Sequence, residues 1–174
     1  DHRHQVGNWL NYGNVNGFDF WGNGHTGERL PKGGEIRHNS IIQKSDGGDE
    51  AILITNASWL DPSGKELLAE TTEFHFIARD SVRMIDRITT LTATAPASVS
   101  FSDTKEAMFG LRVARQLDLP ADQEVTLTDA SGQSTVKTSA NEGVTGNYRS
   151  SEGVTGENVW STRAKWMNLY GIVG

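Results

Sequence analysis

The sequence contains no cysteine. That excludes thiolate catalysis, disulfides and cysteine-based zinc sites, and it leaves the redox compartment open, because exported bacterial proteins often lack cysteine as well. Nor is there an apolar run approaching the ~20 residues that cross a bilayer as a helix, so a soluble domain is expected. Positive charge is scarce: 16 Lys+Arg against 22 Asp+Glu leave a formal net charge of -6, with no basic stripe to neutralise phosphates. Nucleic acid and anionic membrane surfaces are therefore not expected partners. A Gly-x-Ser-x-Gly elbow, a P-loop and a Gly-x-Gly-x-x-Gly turn after a strand are also missing, which removes support for serine acyl transfer, nucleoside triphosphate use and dinucleotide binding.

What is present reads as strands. Val, Ile, Thr and aromatic residues come in short runs separated by Gly, Asp, Asn, Ser and Pro, and no window sustains an i, i+3, i+4, i+7 apolar stripe. The pattern predicts an all-β chain with strands over 8–12, 17–21, 35–44, 50–60, 65–78, 81–95, 98–102, 109–117, 124–128, 134–138 and 159–170. Asp46-Gly47-Gly48-Asp49, Asp61-Pro62-Ser63-Gly64 and Asp129-Ala130-Ser131-Gly132 supply three hairpin turns. Several strands exceed the usual ~5 to 6 residues, which favours a large antiparallel β-sandwich over a small barrel. The 174 residues fit one domain, and both ends read as cut, so a partial sandwich is expected.

Phase along the long strands puts Met84, Asp86 and Ile88 on one face; Glu70, Thr72, Phe74 and Phe76 share another, with Glu73 and His75 opposite them. A charge phased with apolar neighbours, such as Asp86, implies either an inward, concave face or a bulge that re-phases the strand. The segment 141–158 carries Glu-Gly-Val-Thr-Gly twice, at 142–146 and 152–156. Two copies do not make a solenoid, and a glycine-rich loop over a site edge is expected instead.

The densest chemistry lies at the start. His2 and His4, spaced i, i+2, point the same way from an extended strand, as two ligands of one metal or two contacts to one substrate do. A third donor would come from Asp19, His25, Glu35, His38, Glu70, Glu73 or His75, so a divalent metal ion is one expectation and an exposed polar strand end the other. Five tryptophans sit beside polar side chains, and an indole, flat and apolar with one edge donor, matches the C–H face and hydroxyl rim of a sugar. Trp21 and Trp160, each next to a glycine-rich loop, are the two expected to line a groove. Lys105 between Asp103 and Glu106 reads either as an ion-paired turn or as a tuned acid/base at a strand end.

In order along the chain, Asp1-His2-Arg3-His4, Gly13-Asn14-Val15-Asn16-Gly17-Phe18-Asp19-Phe20-Trp21, Trp59, Gly64, Glu70, Ile85-Asp86, Asp103-Thr104-Lys105-Glu106-Ala107-Met108, Leu111-Arg112-Val113-Ala114, Trp160 and Arg163-Ala164-Lys165-Trp166 resemble the bacterial family DUF6807, which carries the label "methane oxygenase PmoA". The label conflicts with the lack of a spanning segment, since a particulate methane monooxygenase subunit is an integral membrane protein. The resemblance implies instead a sandwich similar to the galactose-mutarotase-like supersandwiches, in a periplasmic or secreted protein of carbohydrate-degrading bacteria. Family members usually open with Asp-His-Pro-His-His-Arg-Gly; here Arg3, Gln5 and Val6 replace the proline, the third histidine and the arginine, so roles needing that imidazole or guanidinium do not carry over.

The leading expectation is an enzyme acting on a sugar or glycoside, a hydrolase, lyase or epimerase, in which a histidine and a carboxylate exchange protons with the ring. Its catalytic candidates are His2, His4, Asp19, Glu70 and Lys105, with His2 and His4 also as metal ligands. Asn16, Trp21, His25, Arg112, Trp160 and Arg163 are the candidates for contact with a carbohydrate or other small polar ligand. The alternatives are a non-catalytic carbohydrate-binding module, and a structural sandwich whose exposed aromatics form an interface.

Overall fold

The computed structural model describes residues 7–22, 33–94, 98–120, 125–128, 131–137 and 141–174. The chain divides into two compact units, Asp1–Leu111 and Arg112–Gly174. Every strand in both pairs antiparallel, so the all-β expectation holds. No helix among the described residues is long and apolar enough to cross a membrane.

The first unit is built on a four-stranded meander of long strands, β2 (Glu35–Ser45), β3 (Glu50–Leu60), β4 (Glu66–Arg79) and β5 (Val82–Ala93), paired in sequence order. Two of the expected turns make its first two hairpins. In the second of these, the Asp61 carboxylate accepts from the Ser63 and Lys65 amides at 2.8 and 3.0 Å and from the Ser63 hydroxyl at 2.6 Å, which holds its acidity below the ordinary carboxylate value, the hydroxyl contributing most. A bulge near Trp59 and Leu60 leaves Leu67 without a cross-strand partner, so Leu67 and Leu68 are both buried.

A two-stranded ribbon of β1 (Asn8–Tyr12) and β6 (Ala107–Leu111) forms the second layer. Leu10 and Tyr12 of β1 pack with Ile36, Leu91 and Val99 against the buried cluster of Val15, Phe20, Trp59, Leu67 and Leu68. Phe20 meets Trp59 at 5.0 Å between ring centroids. These side chains occupy the face of the meander that also carries Glu70 and Thr72, as alternation requires.

The second unit contains two hairpin pairs, β7 (Val125–Thr128) with β8 (Ser134–Lys137) and β9 (Asn147–Ser150) with β10 (Met167–Tyr170). The third expected turn falls between β7 and β8, with Asp129 and Ala130 outside the described residues.

Four predicted strands take other forms, among them 98–102, where Phe101 makes only an isolated bridge to Val15. At 17–21 the Asn16-Gly17 pair wins: both residues adopt positive φ, 52° and 86°, and Val15 and Phe18 exchange backbone hydrogen bonds at 2.9 and 3.0 Å, a two-residue hairpin turn. At 109–117, β6 ends at Leu111 and a 3₁₀ turn follows at Arg115–Leu117. At 159–170 the Val159 carbonyl is taken by the Thr162 hydroxyl at 2.7 Å and its amide at 3.2 Å; this closes a turn after the 3₁₀ segment Gly156–Val159 and delays the strand to β10. Asp86 is also placed differently from expectation. It pairs with His75 in an unbroken β4–β5 register and is exposed, so it needs neither a concave face nor a bulge.

The core tolerates no added atom where the chain enters β2. A Cβ on Gly34 would lie 2.5 Å from the ring of Phe20, which is fully buried and has no room to yield. Gly34→Ala is expected to cost about 1–3 kcal/mol, the usual penalty for overpacking, and a urea midpoint unchanged from the parent protein would contradict it.

Candidate functional site

His2, His4 and His25 lie outside the described residues. Among the described residues no group of three or more His, Asp or Glu side chains is arranged to hold a metal ion.

The first unit commits several of the candidate groups to its own architecture. Glu70 is 7% exposed; it accepts the Trp59 indole N–H at 2.8 Å and the Thr72 hydroxyl at 2.7 Å, and its carboxylate stands 3.6 Å from the Arg87 guanidinium. Arg87 in turn donates to Asn8 at 3.0 Å and to Thr89 at 3.2 Å, and its charge sits 5.3 Å from the Phe74 ring centre. Burial lowers the Arg87 pKa and Glu70 opposes that shift. Asp19 accepts the Trp21 and Gly22 amides at 2.7 and 3.3 Å, a side-chain turn motif. Asn16 binds Ser100 twice: its amide donates at 2.9 Å and its side-chain oxygen accepts at 2.7 Å. Trp21 meets Trp9 edge-on at 6.2 Å. Lys105 is exposed at a turn and pairs with Glu106 at 3.2 Å, the outcome expected of a solvated ion pair. No hydrogen bond or ion pair joins Asp19, Glu70 and Lys105 to one another.

One titratable cluster has a member that sequence reasoning passed over. On the outward face of the meander, His75 Nδ1 lies 2.5 Å from Glu50 and Nε2 lies 2.6 Å from Glu73. The phase that joined Glu73 to His75 was visible, but Glu50 arrives from β3 through a pairing that no local spacing reveals. The two carboxylates, Glu50 first, raise the imidazole pKa above 6.5. With both ring nitrogens occupied, His75 serves as a cross-strand tie.

The second unit holds a concave site of about 540 Å³, within the range of small-molecule cavities. Leu119, Val159 and Met167 supply apolar walls, Tyr148 and Trp160 two aromatic rings, and Glu157 and Ser161 polar groups, with Gly156 at the backbone. Of the substrate-contact candidates Trp160 lines this cavity, whereas Arg112 and Arg163 are exposed and line neither described cavity. Trp160 is 83% exposed yet firmly carried: its amide donates to the Glu157 carbonyl at 3.0 Å, and the following turn is closed by Thr162. Ser161 sits at φ 62°, a costly conformation for a residue with a Cβ, as strained positions at binding sites often are. The segment 141–158, expected as one loop, is interrupted by β9 at Asn147–Ser150, and Gly156 at the end of its second repeat copy lines the cavity. Glycine spacing pointed to that segment; nothing local marks Tyr148 or Ser161.

A second cavity, of about 610 Å³, is lined by residues 33–37 and 60–64. The Asp61 carboxylate there is already occupied by its own turn.

A family model described as "Family of unknown function (DUF6807)" matches residues 1–174. No curated protein and no solved structure matches the chain.

Two outcomes are expected from the geometry of the first unit. Glu70→Ala leaves the Trp59 N–H and the buried Arg87 charge unmatched and is expected to cost about 3–5 kcal/mol; a denaturation curve within experimental error of the parent would show that Glu70 is free for chemistry. The His75 tie has a defined pH sign. Because its folded pKa is raised, its contribution is fully present below the unfolded value of 6.5 and is lost as pH rises through the higher folded value. The Tm advantage of the parent over the double variant Glu50→Gln/Glu73→Gln should therefore shrink as pH is raised from below 6.5; a constant or widening gap would contradict the tie.

Proposed function

The chain belongs to the DUF6807 family, whose function is unknown, and from that premise we propose that it binds carbohydrate, with a sugar ring stacked on Trp160 in the cavity of the second unit. The observation that carries this reading is the exposure of Trp160 on a fixed turn. An indole kept 83% in water forgoes roughly 1.5–3 kcal/mol of burial. Ordering such a side chain without burying it makes sense where a ligand completes the burial.

The chemistry of the cavity fits a sugar. A pyranose offers an apolar C–H face to Trp160 and Tyr148, while its hydroxyls reach the Glu157 carboxylate and the Ser161 hydroxyl at the polar edge. What supports recognition is the exposed indole of Trp160 beside Tyr148. Both Glu70 oxygens and Asp19 Oδ1 accept hydrogen bonds within the fold, and Lys105 is paired in solvent.

Trp160→Ala is expected to weaken glycan binding by at least about ten-fold, or 1.4 kcal/mol, with an unchanged circular dichroism spectrum and Tm. Calorimetric titration with soluble glycans checks it. Equal affinity of parent and variant would remove Trp160 from the site, and with it this reading.

A further inference from the structure

The cavity carries information about charge as well as shape. Of its described lining residues Glu157 bears a full charge, and no lysine, arginine or histidine is among them. The other polar residues of the lining, Tyr148 and Ser161, are neutral. Leu119, Val159 and Met167 make much of the remaining lining apolar. An anionic ligand entering this space would lose hydration, meet a like charge and find no guanidinium or ammonium to offset either cost. A neutral hydroxyl, or an ammonium, would instead donate to Glu157.

Shape adds a second restriction. A flat indole face held by its turn rewards a ring whose face is C–H only, and an axial hydroxyl directed at it would be desolvated without a partner. Pyranoses with all substituents equatorial meet that condition on both faces.

We infer that the Trp160 cavity selects neutral or amino pyranoses of the all-equatorial, gluco-configured type and rejects their uronic acid counterparts, with Glu157 as the residue that sets the charge preference. This inference rests on the carbohydrate reading of the same cavity. Glu157 is exposed and ends no described hydrogen bond or ion pair through its side chain, so its neutral isostere leaves the fold intact.

The test titrates the full chain with three β-1,4-linked tetramers of equal length, built from glucose, glucosamine and glucuronic acid, and monitors tryptophan fluorescence and heat. The glucose and glucosamine tetramers should bind at least about ten-fold more tightly than the glucuronate tetramer at low salt. Glu157→Gln should raise glucuronate affinity and bring the three within about three-fold of one another, and added salt should narrow the gap in the parent protein. Glucuronate bound as tightly as glucose, with Trp160→Ala abolishing both, would overturn the selectivity and leave the binding site standing. A gap that Glu157→Gln does not narrow would likewise overturn the role given to Glu157. No heat and no fluorescence change with any tetramer would overturn the carbohydrate reading itself and this inference with it.

Discussion

The hydrogen bond from the Trp59 indole to Glu70 is the interaction on which the first unit depends. Trp59 has no exposed surface, so its N–H must find an acceptor inside the protein, and a carboxylate 2.8 Å away supplies one. Burying a carboxylate creates a larger demand than the one it answers. Thr72 meets part of it from two residues along β4, and Arg87 meets the rest from β5. The guanidinium is itself largely buried and passes the demand on to Asn8 of the β1–β6 ribbon. A single buried indole thus links β3, β4, β5 and the covering layer through partners that must all be present together. Such a network adds little net stability over an apolar core of the same shape, but it penalises any register in which one partner is displaced. In a meander of strands 11 to 14 residues long, where sliding by one residue would exchange the two faces, that penalty is useful.

The sequence made the fold class and the four long strands legible because their evidence is local. Composition, strand length and turn residues at Asp46 to Asp49 and Asp61 to Gly64 each act within a few residues. The partner of Glu70 was not legible. Arg87 lies 17 positions further along the chain, and only the β4–β5 register, which puts Phe74 opposite Arg87, brings the guanidinium onto the same face. The stretch 17–21 misled for the opposite reason: its aromatic alternation suggests a strand, yet Asn16-Gly17 has a stronger local preference for the positive φ pair of a tight turn. Asn16 reads as a ligand contact and Asp19 as a catalytic group because polar residues among aromatics invite those readings. Their side chains are spent on Ser100 and on the amides of Trp21 and Gly22, the ordinary use of Asn and Asp in turns.

Trp160 was legible for a different reason. Its significance lay in an unusual neighbourhood, an aromatic soon after a repeated glycine-rich peptide, and not in any periodicity. The rest of its cavity comes together only through folding. Tyr148 belongs to β9 and Met167 to β10, which pair antiparallel, and Leu119 comes just after the 3₁₀ turn at Arg115–Leu117. A cavity assembled from four separated segments leaves no spacing to read.

The two copies of Glu-Gly-Val-Thr-Gly show how far identical local chemistry determines structure and where context takes over. Gly143 and Gly153 adopt nearly the same positive φ, 73° and 79°, so the peptide sets the same turn twice, once before β9 and once after it. Beyond that residue the copies diverge. The Thr145 hydroxyl accepts the Ile172 amide at 2.7 Å and lies 3.2 Å from the Gln116 carbonyl, tying the end of the chain to the segment before β7, and Gly146 lies so close to the Leu117 carbonyl that a side chain would collide with it. Thr155 instead bridges back to Arg149, and Gly156, at φ 62°, turns the chain into the wall that carries Glu157 and Trp160. The final glycine is required in both copies, by close approach in the first and by backbone conformation in the second. Duplication therefore accounts for the shared turn, while the cavity depends on the 3₁₀ segment Gly156–Val159 at the end of the second copy. That segment is too short to bury the neighbouring tryptophan, and Thr162 closes the turn after it so that the indole remains facing solvent.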